Sequence, residues 1–283
     1  MIAAEPENPG NSLLGDAQSG HWFEAMADHM GEAYLRYSFT KGTAQEVRFV
    51  VDQLSLKPGD RVLDVGCGPG RHALVMGALG IKVVGLDISQ RFVDLGNQSA
   101  RSSSLDGTVE FIKGDARNLP FTAEFDAVIS LCQGGFGLVG RTEDGAADDA
   151  VLNGMAAALK PGGRLGVSAF SAYFMLRHLE DHDAFDASTG VNHERTEIRN
   201  ADGIGTQVDL WTTCFTPREL RLLLERAGLA VKAIHSVTPG AYEPNKPTTN
   251  TPEFFAIAVK VIKPSIDAGP LEVSAPTKRP QFV

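Results

Sequence analysis

The hydrophobic positions change their period along the chain. Near the N-terminus, Trp22, Phe23, Met26, Met30 and Tyr34 recur close to every 3.6 residues. Val47, Val50, Val51 and Leu54 stand at i, i+3, i+4 and i+7, with Phe49 beside them. Both patterns predict amphipathic helices that need a core to cover. From Asp60 onward, short apolar runs alternate with helical segments: residues 62–65, 83–86, 109–112 and 127–131 predict strands, and residues 71–79, 91–99 and 148–159 predict helices. Strands this apolar are buried on both faces. The alternation predicts an α/β fold built on a doubly wound parallel sheet.

Lys160-Pro161-Gly162-Gly163 reads as a helix stop and turn, followed by a strand over 164–170. Residues 171–215 break the rhythm, with a helix predicted near 174–180 and strand-like runs at 194–199 and 206–215, and read as an insertion covering the sheet edge. Thr216-Pro217-Arg218-Glu219 then supplies an N-cap, a proline at the first helical position and a capping-box glutamate, with Leu220, Leu223, Leu224 and Ala227 as the apolar face and Gly228 as the stop. Two last strands, near 231–237 and 253–261, are joined by a Pro-rich loop, which allows an antiparallel ending. Residues 1–18 and 264–283 carry no sustained apolar period and are expected to be flexible, leaving one domain over 19–263.

Composition narrows the function. Of 283 residues, 43% are hydrophobic and 22% charged, and no uncharged apolar run approaches the ~18–20 residues that cross a bilayer. Residues 1–19 hold no Lys or Arg, unlike a signal peptide, so a cytoplasmic location is expected without membrane association. A net charge of −9, spread along the chain, gives a nucleic-acid surface no electrostatic support. Cys67, Cys132 and Cys214 are too few and scattered for a disulfide framework or a four-ligand zinc site. Glycine, 30 of 283, exceeds the ~7% average, so the places where it clusters carry information.

The clearest cluster is Leu63-Asp64-Val65-Gly66-Cys67-Gly68-Pro69-Gly70-Arg71-His72, which lies between a strand and a helix. Backbone without Cβ atoms can turn sharply there and let a ligand lie against it. Asp87 ends the next strand, where a carboxylate can accept two hydrogen bonds from ribose hydroxyls. Together these residues read as an adenosine site. The dinucleotide fingerprint G-x-G-x-x-G fails, because Arg71 stands where its third glycine belongs. Asp64 would repel a pyrophosphate but could accept from an ammonium, which favours a zwitterionic ligand.

The loop resembles motif I of the class I S-adenosylmethionine-dependent methyltransferases, and Asp87 resembles the acidic end of their motif II. The resemblance covers residues 44–170 closely and the last two strands more loosely. It implies a Rossmann-like seven-stranded, mostly parallel sheet with a C-terminal antiparallel strand, and S-adenosyl-L-methionine as cofactor. By the family pattern, Gly66, Cys67, Gly68 and Gly70 pass beside the methionine part, Asp87 takes the ribose and Ile88 packs on adenine. Asp115 and Ala116, in Gly114-Asp115-Ala116, would contact adenine, Leu131 would flank the methionine part, and Tyr37 would reach the cofactor from an N-terminal helix.

Methyl transfer from a sulfonium gains most from alignment and from excluding water, and needs a base only for some acceptors. The Asn/Asp-Pro-Pro-aromatic motif of amino-methylating nucleic-acid enzymes is missing from 130–137. A small-molecule acceptor, methylated on oxygen or nitrogen, is therefore expected. Phe136, Tyr173 and His178, with Phe174 and His193, are the candidate acceptor contacts, because insertions at strand ends carry the site. His178 and His182 lack a defined third ligand, so no metal is expected. An NAD-dependent oxidoreductase and a non-catalytic cofactor-binding regulator stay open as alternatives.

Overall fold

The computed structural model describes residues 21–132, 134–138 and 146–261; both ends expected to be flexible, 1–18 and 264–283, lie outside the described residues. Helix α1 (Trp22–Met30) begins at His21, whose ring accepts from Phe23 N while Glu24 reaches back to His21 N, a reciprocal cap. A 3₁₀ segment, Gly31–Arg36, follows, so Tyr34 lies beyond the α-helix proper. Helix α2 (Thr43–Gln53) buries Glu46, Val47, Phe49 and Val50.

The predicted alternation then forms as β1 (Arg61–Val65), α3 (Arg71–Ala78), β2 (Lys82–Asp87), α4 (Gln90–Ser102), β3 (Val109–Lys113), β4 (Phe125–Ser130), α5 (Ala146–Ala158) and β5 (Leu159–Ser171). Lys160-Pro161-Gly162-Gly163 lies in the irregular start of β5, where the register with β4 shifts and Gly162 takes φ +76°. The insertion contains α6 (Ala172–Arg177), shorter than predicted, and an antiparallel set β6 (Ala184–Asp186), β7 (Val191–Arg199) and β8 (Gly205–Phe215). Only the end of β8 joins the main sheet, pairing parallel with β5 at Phe170 and Ser171. Helix α7 (Pro217–Arg226) starts with the predicted capping box, before β9 (Leu229–Thr238), β10 (Ala241–Asn245) and β11 (Glu253–Lys260).

The main path runs β10-β9-β11-β5-β4-β1-β2-β3. Strands β3, β2, β1, β4 and β5 are parallel, and β11 runs antiparallel to both β5 and β9. The sheet is thus Rossmann-like, with an antiparallel C-terminal strand, but eleven strands replace the expected seven. The surplus is local: the Pro-rich loop zips a short strand onto β9, and the insertion folds as its own antiparallel ribbon.

Side-chain alternation sorts the core onto two faces. Leu63, Val65 and Val128 pack with Val151 and Met155 of α5 and Leu220 and Leu224 of α7. Val62, Ala127 and Ile129 face the other way, with Val47 and Val50 of α2 and Ala73 and Met76 of α3. Asp64 shares the parity of Val62, so it faces the α2 and α3 side. It is flanked in register by Gly85 and Ile129.

Candidate active site

Strand order reverses between β1 and β4, and doubly wound sheets bind ligands in the crevice beyond the carboxyl ends of strands at such a point. A half-open cleft, enclosing about 450 Å³ of empty space together with the solvent at its mouth, lies there. Gly66 comes to it from β1, Leu86, Asp87 and Ile88 from β2, and Gly114–Arg117 from β3. Gly134, Gly135 and Leu138 follow β4, while His21 and Phe23 cover the cavity from the start of α1.

Backbone geometry explains the glycines. Gly66 has φ +69°, and a Cβ there would overlap the carbonyl of Gly134, so the loops after β1 and β4 meet main chain to main chain. Gly66 N and Cys67 N both donate to Leu86 O, at 2.7 and 3.1 Å, fastening the glycine loop to β2. Asp87 is almost fully buried; its Oδ2 accepts from Gly68 N at 2.8 Å and its Oδ1 from Ser89 N at 2.9 Å. Burial pushes this carboxyl up to about 6, against the lowering effect of those N–H donors. Asp115 receives a forked bond from Arg117, Nε to Oδ1 at 2.9 Å and Nη2 to Oδ2 at 2.6 Å, which holds its carboxyl below the usual range.

A family model described as a methyltransferase domain matches residues 56–228, more than half of the chain. The chain belongs to the class I S-adenosylmethionine-dependent methyltransferase family. It is 34% identical over 128 residues to the ubiquinone/menaquinone biosynthesis C-methyltransferase UbiE of Vibrio vulnificus, a match spanning 44% of this chain and 46% of that one. The chain thus spans under half the length of the UbiE relatives. It is 28% identical over 214 residues to the cypemycin N-terminal methyltransferase of a Streptomyces species, covering 70% of this chain and 82% of the other. Among solved structures it shares its fold with the CcbJ methyltransferase of Streptomyces caelestis, at TM-score 0.66 and 18% identity, covering 86% of this chain and 98% of that one. The glycopeptide N-methyltransferase MtfA in complex with sinefungin aligns at TM-score 0.54 and 17% identity, over 77% of this chain and 86% of that one.

Beyond Gly68, the chain carries a buried polar seam. Arg71, the first residue of α3, gives Nη1 to Glu46 Oε2 and to Thr43 Oγ1 at 2.9 Å, and Nη2 to Cys132 Sγ at 2.8 Å. His72 Nε2 lies 2.8 Å from the same Glu46 oxygen, and Gly240 N donates to Glu46 Oε1 at 2.7 Å. Burial alone would raise Glu46, but His72, Arg71 and Gly240 N hold it below its ordinary value. Burial lowers His72, leaving it neutral at pH 7 as a donor to Glu46. Glu46, His72 and Cys132 lie close enough for a metal cluster, yet the guanidinium of Arg71 already serves as their cation. Tyr242 Oη donates to Glu253 Oε2 at 3.0 Å and lies 3.8 Å from Cys132 Sγ.

Asp64, 1% exposed, has an Oδ2 with no hydrogen-bond partner among the described residues. Burial raises its carboxyl to about 7, with Arg71 opposing and Asp87 reinforcing the shift.

The cavity therefore gathers Gly66, Asp87, Ile88, Asp115 and Ala116 from the residues singled out in sequence. Cys67 and Leu131 are instead packed in the core, and Gly70 backs onto Phe111. Tyr37 turns away: its Oη accepts from Arg199 N on β7 at 3.1 Å. Tyr34 instead lies over the glycine loop, since a methyl added at Gly68 would touch its ring at 3.6 Å. The 3₁₀ segment rotates the two tyrosines away from the α-helical phase assumed for them.

The acceptor candidates do not line this cavity. Phe136 is fully buried, stacked on Phe215 at 4.7 Å. Tyr173 meets Phe254 edge-on, and His178 packs on Phe174. His193 lies between Trp211, on which it stacks, and Asp209 Oδ1 at 2.9 Å. Residues missed in sequence are His21, Phe23, Arg117 and the Glu46–Arg71–His72 cluster. Glu46 did carry a signal, because an acid three and four positions before Phe49 and Val50 falls on the apolar face of α2.

Proposed function

We propose that the protein methylates an oxygen or nitrogen of a small-molecule acceptor, with S-adenosylmethionine held in the cavity beside Asp87. The observation that carries this reading is a cleft at the carboxyl ends of β1, β2 and β3 with the buried Asp87 carboxylate on its wall, near a second buried carboxylate, Asp64, whose Oδ2 has no partner among the described residues. A buried anionic oxygen without a donor is costly unless a ligand supplies one. An ammonium does so, and the residues present therefore fit the cofactor. Asp87 would take the ribose hydroxyls, with Gly68 N keeping the carboxylate oriented. Ile88 and Ala116 would bracket adenine, and Asp115, steered by Arg117, would accept from its amino group. Gly66, Gly68 and Gly70 would let the backbone lie against the sulfur end, with Cys67, Leu131 and Tyr37 acting behind this surface as packing.

The cofactor, when bound, supplies an electrophilic methyl group on a sulfonium. The chain's contribution is alignment and the exclusion of water by the α1 cover, His21 and Phe23. The names of the relatives include both C- and N-methyltransferases, so the acceptor is argued from this chain. Among the described residues, four buried carboxylates, Glu46, Asp64, Asp87 and Glu253, around the buried guanidinium of Arg71 give the interior end of the site an acidic balance suited to amines or neutral hydroxyls. A turnover assay following S-adenosylhomocysteine release across a panel of amines, alcohols and peptide N-termini tests the proposal. Acceptor-dependent release supports it, and methylation confined to carbon acceptors would refute it.

A further inference from the structure

The ribbon formed by β7 and β8 turns polar side chains inward. Alternate residues along a strand share a face, and so do residues opposite in register. Asn192, Glu194 and Ile198 of β7 thus share one face with Val208 and Thr212 of β8. Ile198 and Val208 pack with Ala27 and Met30 of α1, so this face looks toward the helix whose start, at His21 and Phe23, covers the cleft. At the base of the ribbon, Thr213 N donates to Gly137 O at 2.8 Å, which fastens it to the loop that puts Leu138 on the cleft wall. Asn192 pairs with Thr212, the residue before that anchor, and therefore stands at the cleft end of the face.

Asn192 is 1% exposed, and its Oδ1 has no hydrogen-bond partner among the described residues. A buried carbonyl oxygen in that state carries a desolvation cost that a ligand bringing a donor relieves. Glu194 lies two residues, about 6.5 Å, further out along the same face. It is half-buried; burial raises its carboxyl and Asp183 and Glu180 raise it further, while His182 opposes them. These three residues belong to one turn, closed by Asp183 N to Glu180 O at 3.0 Å and Glu180 N to Asp183 Oδ2 at 2.8 Å. Phe185 of β6, opposite Asn192 in register, adds a half-buried ring to the face. From outside inward the face therefore presents carboxylates, an aromatic ring and a buried oxygen lacking a donor. Carboxylates and a ring attract a cation, and an N–H satisfies the oxygen. An anionic acceptor is repelled along the same path.

We propose that this ribbon face binds the methyl acceptor, that the acceptor is an amine, and that Asn192 Oδ1 accepts an N–H of the nitrogen to be methylated while Glu194 attracts its ammonium form. The proposal rests on the methyltransferase reading above and narrows its acceptor from oxygen or nitrogen to nitrogen. The ammonium first loses a proton to solvent. The bond to Oδ1 then uses one hydrogen of the neutral amine and leaves its lone pair free. That pair forms the N–C bond as the methyl C–S bond breaks, giving a methylated ammonium and a thioether.

The test compares matched acceptors. Release of S-adenosylhomocysteine is followed with phenethylamine, 2-phenylethanol, a tripeptide with a free N-terminus and the same tripeptide N-acetylated, for the wild type, Asn192→Leu and Glu194→Gln. Calorimetry with S-adenosylhomocysteine runs alongside. The wild type should use the two amines in preference to their uncharged counterparts. Asn192→Leu should lower kcat/KM for the amines roughly ten- to a hundred-fold, as expected for loss of a hydrogen bond to the reacting group. Glu194→Gln should raise their KM about two- to five-fold with kcat kept, the effect of one half-exposed charge. Both variants should bind S-adenosylhomocysteine as the wild type does. Glu194→Gln, at a half-buried strand position, keeps the comparison readable should Asn192→Leu fold poorly. Undiminished amine turnover in a folded Asn192→Leu, an unchanged amine KM in Glu194→Gln, or a preference for the alcohol overturns the assignment. A parallel loss of S-adenosylhomocysteine affinity would also overturn it, because it would mark a purely structural role. A wild type that binds S-adenosylhomocysteine yet methylates neither amine overturns the amine assignment alone, whereas one that does not bind it overturns the cofactor reading itself.

Discussion

Asp64→Asn should make the ligand-free protein more stable while weakening its hold on the cofactor. The Asp64 carboxyl is raised from 3.8 to about 7 by burial, a shift of roughly three pK units. At ~1.36 kcal/mol per unit, keeping this group ionised above pH 7 costs the folded state about 4 kcal/mol. The amide removes the charge but adds an N–H that needs an acceptor, at a cost of ~1–3 kcal/mol, leaving a net gain of about 1–3 kcal/mol at pH 8. For a chain of this size that is roughly 2–10 °C in Tm. The pH dependence is the sharper readout. An acid whose pKa is higher folded than unfolded binds more protons in the folded state between the two values, so stability falls as pH rises from about 4 to about 7 and is flat beyond. The advantage of Asp64→Asn over wild type should therefore grow by about 2–3 kcal/mol between pH 5 and pH 8. Thermal melts at closely spaced pH values, paired with titrations of S-adenosylhomocysteine, measure both effects. Parallel melting curves for the two proteins across this range would refute the argument that Asp64 is an unsatisfied buried acid.

Other substitutions probe separate parts of the site. Gly66→Ala drives a methyl into the Gly134 carbonyl at a positive φ; it should cost at least about 1–2 kcal/mol of stability and most cofactor affinity, read by melting and calorimetry. Asp148, in the first turn of α5, accepts from Gly137 N at 2.9 Å and so pins the loop after β4; Asp148→Ala should lower stability by about 1–3 kcal/mol and loosen cofactor binding, measured by urea melts and titration. Phe136→Ala should lose about 3–5 kcal/mol by emptying a core site against Phe215, with Km for the acceptor unchanged; a rise in acceptor Km in the folded variant would restore Phe136 as a substrate contact.

The parallel part of the sheet was legible because its strands are apolar on both faces and punctuated by glycine. Asp64, Gly66 and Asp87 were legible because a carboxylate or glycine at a strand end has few structural reasons to be there. Phe136 misled because an aromatic residue between glycines reads the same whether it walls a cavity or plugs the core; its partner Phe215 lies 79 positions away and carries no local signal. The Glu46–Arg71 pair was hidden for the same reason, since it joins two helices that meet only because both pack on one face of the sheet. The direction of Tyr37 was not legible because the 3₁₀ turn before it changes the angular step per residue. The extra strands arise from loops, where tertiary pairing rather than local pattern decides.

Among the described residues, no helix is long and apolar enough to cross a membrane. The most direct test of the central claim is calorimetry of S-adenosylhomocysteine with the wild type and Asp87→Ala, each checked for folding by thermal melt. The wild type should bind, and Asp87→Ala should bind roughly ten- to a hundred-fold more weakly through loss of the charge-assisted bonds to ribose. A folded Asp87→Ala protein with wild-type affinity, or a wild type that does not bind, would contradict the placement of the cofactor in this cleft.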